Sequence, residues 1–148
     1  MILRFFSFRI NNFADLIGAH AKLQNLHWNV EGEHFKMVHE YTEEIYRQIY
    51  EYIDKTAEYM VMNDKRPFAG LKEFTENTTI EQLDSKDYKA GEAVRYSLST
   101  IKKLRESAHE IHEETDCYML QALLEEQIGH FSKHIWFLDK MIQPSHRK

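Results

Sequence analysis

Cysteine, proline and glycine are all scarce in this 148-residue chain, which has one Cys, two Pro and five Gly. A lone Cys117 excludes an intrachain disulfide framework and fits a reducing compartment; its simplest role is that of a small packed residue. With only Pro67 and Pro144 to break them, helices can run long, and both prolines fall where helices are expected to stop. Long hydrophobic runs are missing as well. The apolar opening Met1-Ile2-Leu3 is soon followed by Arg4 and Arg9 with no small-residue cleavage site, so it is expected to be an arm or first helical turn rather than a signal peptide or membrane span. Positive charge is in deficit: 19 Lys and Arg face 24 Asp and Glu, for a net charge of −5 with histidines neutral. Affinity for duplex DNA comes mainly from Lys and Arg on phosphates, often on mobile tails, and the ends offer only Arg4, Arg9, His146, Arg147 and Lys148. DNA binding is therefore expected to be weak or absent at physiological salt.

What is present describes an ordinary globular protein, 43% hydrophobic and 29% charged, long enough for one domain over residues 1–148 with a proper core. Apolar residues recur at helical spacing in four stretches. The first helix is predicted from about Phe8 to Val30, with Ile10, Phe13, Ile17, Leu23 and Leu26 on one face. The second, from about Glu33 to Met62, sets Phe35, Thr42, Ile45, Ile49, Ile53 and Met60 against an opposite stripe of Glu40, Glu44, Arg47, Glu51, Asp54 and Glu58. A connection of roughly two dozen residues follows, with Thr79 to Leu83 as a candidate short helix inside it. The third helix, starting after Asp84 to Asp87, carries Val94, Leu98, Ile101, Leu104, Ala108 and Ile111. The fourth, from about Asp116 to Ile142, carries Leu120, Leu124, Ile128, Phe131, Ile135 and Leu138. Two helical hairpins joined by a long crossover make an all-α four-helix bundle of ferritin-like topology, with a long B-to-C crossover containing a short helix.

Residues 27 to 58 carry the chemistry. Asp54 and Glu58 are an i, i+4 pair whose carboxylates leave one helix face a turn apart, close enough to hold one cation. His27 and His39 flank Gly32 and share the other end of the hairpin. On a continuous helix His39 and Asp54 are separated by about 22 Å, which no single metal spans. A site using all four needs a second chain, antiparallel across a two-fold axis, and such a dimer has two equivalent sites. Taken singly, a histidine at an interface is most often just hydrogen-bonded, and an acid pair on a helix usually just meets water. Together, in this order, the four point to a metal site. Imidazole with carboxylate suits Fe(II), Zn(II) or Mn(II), and the residues alone do not choose among them.

The segments His27-Trp28-Asn29-Val30, Glu33-His34-Phe35, His39-Glu40, Asp54 with Glu58, Pro67, and Lys133-His134-Ile135-Trp136 with Leu138 resemble the Dps family of ferritin-like mini-ferritins, over about Ile10 to Ile142. The resemblance implies a hollow dodecamer built from two-fold dimers in the cytoplasm. It also implies a ferroxidase-type oxidoreductase in which His27, His39, Asp54 and Glu58 are catalytic metal ligands. Ferrous iron would be oxidised there, by hydrogen peroxide in preference to O2, and stored as ferric mineral, protecting against oxidative stress; Zn2+ or Mn2+ could compete. Glu40, Glu43 and Glu44 are candidates for iron nucleation, and Trp28 resembles the family tryptophan proposed to quench oxidising by-products, with a packed aromatic at the dimer contact as its simpler role.

Three departures from the family pattern stand out. Lys55 follows Asp54, Asn63-Asp64 replace a glycine pair after the second helix, and the acidic start of the fourth helix is replaced by Cys117 to Ala122. Only Glu125 and Glu126 remain there of the acids that line the pores through which iron enters in relatives. Two alternatives differ in class. One is a non-enzymatic DNA-binding nucleoid protein on the same scaffold. The other is a ferritin-type di-iron site inside the bundle, for which Glu106 and His109 supply one Glu-x-x-His pair and no second is found.

Overall fold

A computed structural model describes the backbone of residues 2–144 and the side chains of residues 12–144. The expected inward residue Ile10 and the terminal basic residues Arg4, Arg9, His146, Arg147 and Lys148 lie outside the described side chains. Five helices and two short strands follow in the order α1 (Ile2–Asn29), β1 (Val30–Glu31), α2 (Phe35–Met62), α3 (Leu71–Asn77), β2 (Tyr88–Lys89), α4 (Ala90–Glu114) and α5 (Tyr118–Ile142). The four long helices are those expected, each beginning or ending within a few residues of its predicted limits. Hairpins α1–α2 and α4–α5 pack together into the bundle.

Spacing explains the packing. Along α2 buried residues Val38, Thr42, Ile45, Ile49, Tyr52, Thr56 and Tyr59 follow alternating steps of four and three, with Met60 buried beside the last, so one stripe of the helix meets its neighbours. Along α5 they are Leu120, Leu124, Gln127, Phe131, His134, Ile135 and Leu138. Leu16, Leu23 and Leu26 of α1 and Ile101 and Leu104 of α4 are fully buried between these stripes. Phe35, expected inward, is instead 42% exposed, because it opens α2 at the bundle's end.

Both ends of α2 are fixed by left-handed residues. Gly32 (φ 88°) and His34 (φ 66°) turn the chain from α1 into α2, with Phe35 N–H donating to the Gly32 carbonyl. At the other end Asp64 (φ 55°) takes the position usually held by glycine. Lys65 N–H reaches the Met60 carbonyl and Asp64 N–H the Val61 carbonyl, the paired bonds of a Schellman ending. Asn63 adds a side-chain bond to the Tyr59 carbonyl at 2.8 Å. The Asn63-Asp64 pair thus ends the helix without glycine.

The crossover holds one short helix, α3, at Leu71–Asn77 and not at Thr79 to Leu83. Glu73 supports the start of α3 by accepting from Gly70 N–H at 3.2 Å. Residues 79 to 83 are irregular because their polar groups are committed elsewhere. Buried Asp15 of α1 accepts from the Thr79 N–H and hydroxyl and from the Thr78 hydroxyl, Lys103 donates to the Thr79 carbonyl at 2.6 Å, and Gln82 donates to the Gly18 carbonyl at 2.9 Å. Strands β1 and β2 then pair in parallel, Val30 with Tyr88 and Glu31 with Lys89, tying the end of the crossover to the α1–α2 turn.

Gly18 makes this docking possible, since a Cβ there would collide with the Thr78 hydroxyl and sit 3.2 Å from Ile80 Cβ. Gly18→Ala is expected to destabilise the protein by about 1–3 kcal/mol through overpacking, read as a lower urea midpoint with an unchanged m-value.

Candidate metal centre

The two histidines of the α1–α2 turn come together. Their rings stack with centroids 3.8 Å apart and planes inclined by 18°. Nδ1 of His27 lies 2.6 Å from the His39 carbonyl, and Nδ1 of His39 lies 2.7 Å from the His27 carbonyl. A carbonyl can only accept, so each Nδ1 must carry the proton. In the neutral ring the proton is then absent from Nε2, whose lone pair is left free for a metal. The last turn of α1 and the first turns of α2 thus fix each other's imidazole tautomer. Phe35 stacks on His39 at 5.1 Å, and the Tyr46 ring meets His27 edge-on at 5.3 Å. His27 is buried, whereas Trp28, next in sequence, is 65% exposed.

Asp54 and Glu58 lie on the outward face of α2, both exposed, one turn apart. Neither has a hydrogen bond or ion pair among the described residues. Their neighbour Lys55 is committed to Glu126 of α5 at 2.8 Å. Because α2 is unbroken, Asp54 stays about 22 Å and Glu58 about 28 Å along the axis from His39. Among the described residues, no three His, Cys, Asp or Glu side chains of one chain gather closely enough to hold a metal.

The three acids after His39 divide between two sides of α2. Glu43 sits beside the histidines, where Arg47 donates to its carboxylate and holds it below the usual carboxylate range. Glu40 and Glu44 instead line a groove between α2 and α5, opposite Trp136, Phe137 and Lys140. Sequence reasoning grouped Glu43 with Glu40 and Glu44. Its i, i+4 relation to His39 was the signal that would have placed it with the histidines.

Among the described residues the bundle interior offers no second centre. Glu106 and His109 are exposed on the outer side of α4. Asp15 is the one buried carboxylate among the described residues, and it is occupied by Thr78 and Thr79. Between the helices lie instead Thr56 and Gln127, the Gln127 amide donating to the Thr56 hydroxyl at 3.4 Å. At the α4–α5 turn, Glu125 is paired with His112 at 2.9 Å.

A family model for the ferritin-like domain matches residues 11–145. DNA protection during starvation protein 2 of Bacillus anthracis is 30% identical over 120 residues, which span 80% of this chain and 82% of that protein. The chain belongs to the Dps family. The X-ray structure of Dps from Listeria monocytogenes superposes on this Dps-family chain with a TM-score of 0.87 at 26% identity, covering 92% of this chain and 91% of that one. The Dps protein of Vibrio cholerae O1, described as a member of a broad superfamily of ferritin-like diiron-carboxylate proteins, superposes with a TM-score of 0.86 at 23% identity, over 95% of this chain and 90% of that one. No helix among the described residues is long and apolar enough to cross a membrane.

The tautomer assignment has a direct readout. Long-range 1H–15N correlation spectra of the metal-free Dps-family chain at neutral pH are expected to show His27 and His39 both protonated at Nδ1. An Nε2–H form of either ring would mean that its Nε2 carries no free lone pair.

Proposed function

We propose that two copies of this chain, antiparallel about a two-fold axis, form two sites that oxidise ferrous iron. Each site has His27 and His39 from one copy and Asp54 and Glu58 from the other. The observation that carries this reading is the pair of Nε2 lone pairs held ready by the histidine–carbonyl bonds. Opposite-end carboxylates without partners supply the complementary half. Neutral imidazoles bind Fe(II) well, and hard anionic carboxylates favour Fe(III), so the mixed set lowers the potential at which the substrate ion gives up its electron. Arg47 holds Glu43 ionised beside the histidines, and the ion pair adds no net charge where the cation arrives.

Hydrogen peroxide is the oxidant in this reading. Two ferrous ions each give one electron, the O–O bond breaks, two protons are taken up and two waters leave, so hydroxyl radical arises only where a single ferrous ion meets peroxide. The ferric product then collects on acidic side chains, with Glu40, Glu43 and Glu44 as candidates for nucleation, inside a hollow dodecamer in the cytoplasm. Trp28, exposed next to His27, is in this reading a contact to the partner or an interceptor of stray oxidant.

Mixing mutants tests the sharing of residues between copies. Neither His27→Ala/His39→Ala nor Asp54→Ala/Glu58→Ala is expected to support peroxide-dependent ferrous oxidation on its own. Co-assembled in equal amounts, they should recover about a quarter of the wild-type sites, because half the dimers are mixed and each mixed dimer regains one of its two sites. Absence of recovery in verified mixed dimers would remove the shared site.

The charge of −5 sets a second expectation, since assembly multiplies a repulsion that few basic residues offset. A gel shift at physiological ionic strength is expected to leave duplex DNA free, and retained duplex would contradict this.

A further inference from the structure

The seam between α2 and α5 contains a polar relay that the metal centre does not use. The Tyr41 hydroxyl lies 2.8 Å from Nδ1 of His134, and Nε2 of His134 lies 2.7 Å from the side-chain oxygen of Gln48. An amide oxygen only accepts, so the imidazole proton is on Nε2, Nδ1 is bare, and the phenol donates to it. His134 is 4% exposed. Burial, with the charges of His130 and Lys133, lowers it to about 4, so the ring is neutral at physiological pH and free to take a proton. Tyr41 lines the groove of about 1000 Å³ between α2 and α5, whose other walls include Glu40, Glu44, Trp136 and Phe137. Acids that attract iron and a phenol paired with a base therefore share one open groove.

We propose that Tyr41 and His134 form a proton-coupled electron donor that captures one-electron oxidants derived from hydrogen peroxide. The phenol gives one electron to the oxidant, reducing hydroxyl radical to hydroxide. Its O–H proton moves to Nδ1 of His134, leaving a neutral phenoxyl radical beside an imidazolium that Gln48 continues to accept from. A ferrous ion then supplies one electron to the phenoxyl and becomes ferric, and the proton returns from Nδ1. One oxidising equivalent is thereby stored between two one-electron ferrous oxidations. A base within hydrogen-bond distance matters because an oxidised phenol must shed its proton at once, and a positioned base accelerates such a transfer by about a hundredfold or more. The source of the oxidant and the ferrous ion that re-reduces the phenoxyl both rest on the iron and peroxide reading, whereas the phenol–imidazole pair does not.

Two arms separate that source from the relay. In one, the protein is freeze-quenched after ferrous iron and peroxide; in the other, iron-free protein is oxidised by a photo-oxidised ruthenium polypyridyl complex. Electron paramagnetic resonance is expected to show a phenoxyl radical in both. Tyr41→Phe, which removes only the hydroxyl, should abolish it, and His134→Gln, which keeps a polar group but no base, should slow its formation about a hundredfold. A signal in the ruthenium arm alone supports the relay and counts against the iron and peroxide reading. The relay is overturned by a signal in neither arm, by one that survives Tyr41→Phe, or by wild-type formation rates in His134→Gln. Loss in Tyr52→Phe alone, whose phenol meets His130, would overturn it too.

Discussion

The uninterrupted length of α2 governs everything else. Its 28 residues contain no glycine or proline, so about 42 Å of rigid helix separates its two ends. A break between His39 and Asp54 would let the helix fold back and bring histidines and carboxylates together within one chain. Without one, the histidines and the carboxylates stay at opposite ends of a rod. Covalent geometry thus makes the proposed chemistry a property of pairs of chains, and the Schellman ending at Asp64 and the left-handed turn at Gly32 and His34 fix where the rod starts and stops.

The two proposed half-sites are prepared differently, and the difference is physically reasonable. An imidazole has two nitrogens, and the wrong tautomer would present a proton to the incoming metal; the exchange of Nδ1 bonds between His27 and His39 removes that choice in advance. A carboxylate has no such ambiguity. Left in water, Asp54 and Glu58 keep their solvation until a cation and a second chain arrive together, and avoid the cost of burying unpaired charge. Lys55, which could have neutralised them, is held by Glu126 instead.

How much of this was legible in the sequence depends on whether the information is local. Helix faces were readable because steps of three and four repeat over many turns, and the Asp54–Glu58 spacing is meaningful on any helix. The crossover was not. Thr79-Ile80-Glu81-Gln82-Leu83 has nothing against a helix until Asp15, 64 residues earlier, takes the Thr79 N–H and hydroxyl. The strand pair β1–β2 is likewise a contact between distant segments with no periodicity to betray it. The histidines could be placed at one end of the hairpin, yet their ring stacking and mutual carbonyl bonds depend on how α1 approaches α2. Glu43 was within reach, four residues after His39, but a run of acids hid its separate direction.

A ferritin-like bundle does not dictate where its chemistry lies, because a fold is a scaffold on which sites are placed. Here the interior is closed to metal by its own packing: apolar stripes fill it, Thr56 and Gln127 bond to each other, and the single buried acid among the described residues anchors the crossover. A site shared between copies, as proposed, has a consequence that an interior site lacks. An isolated chain would hold ferrous iron on two imidazoles without the anionic donors that favour the ferric state, so it would bind weakly and oxidise slowly. Activity would then track assembly, and ferric product would form only where a shell exists to receive it, which makes the half-site a safeguard as well as an economy of residues.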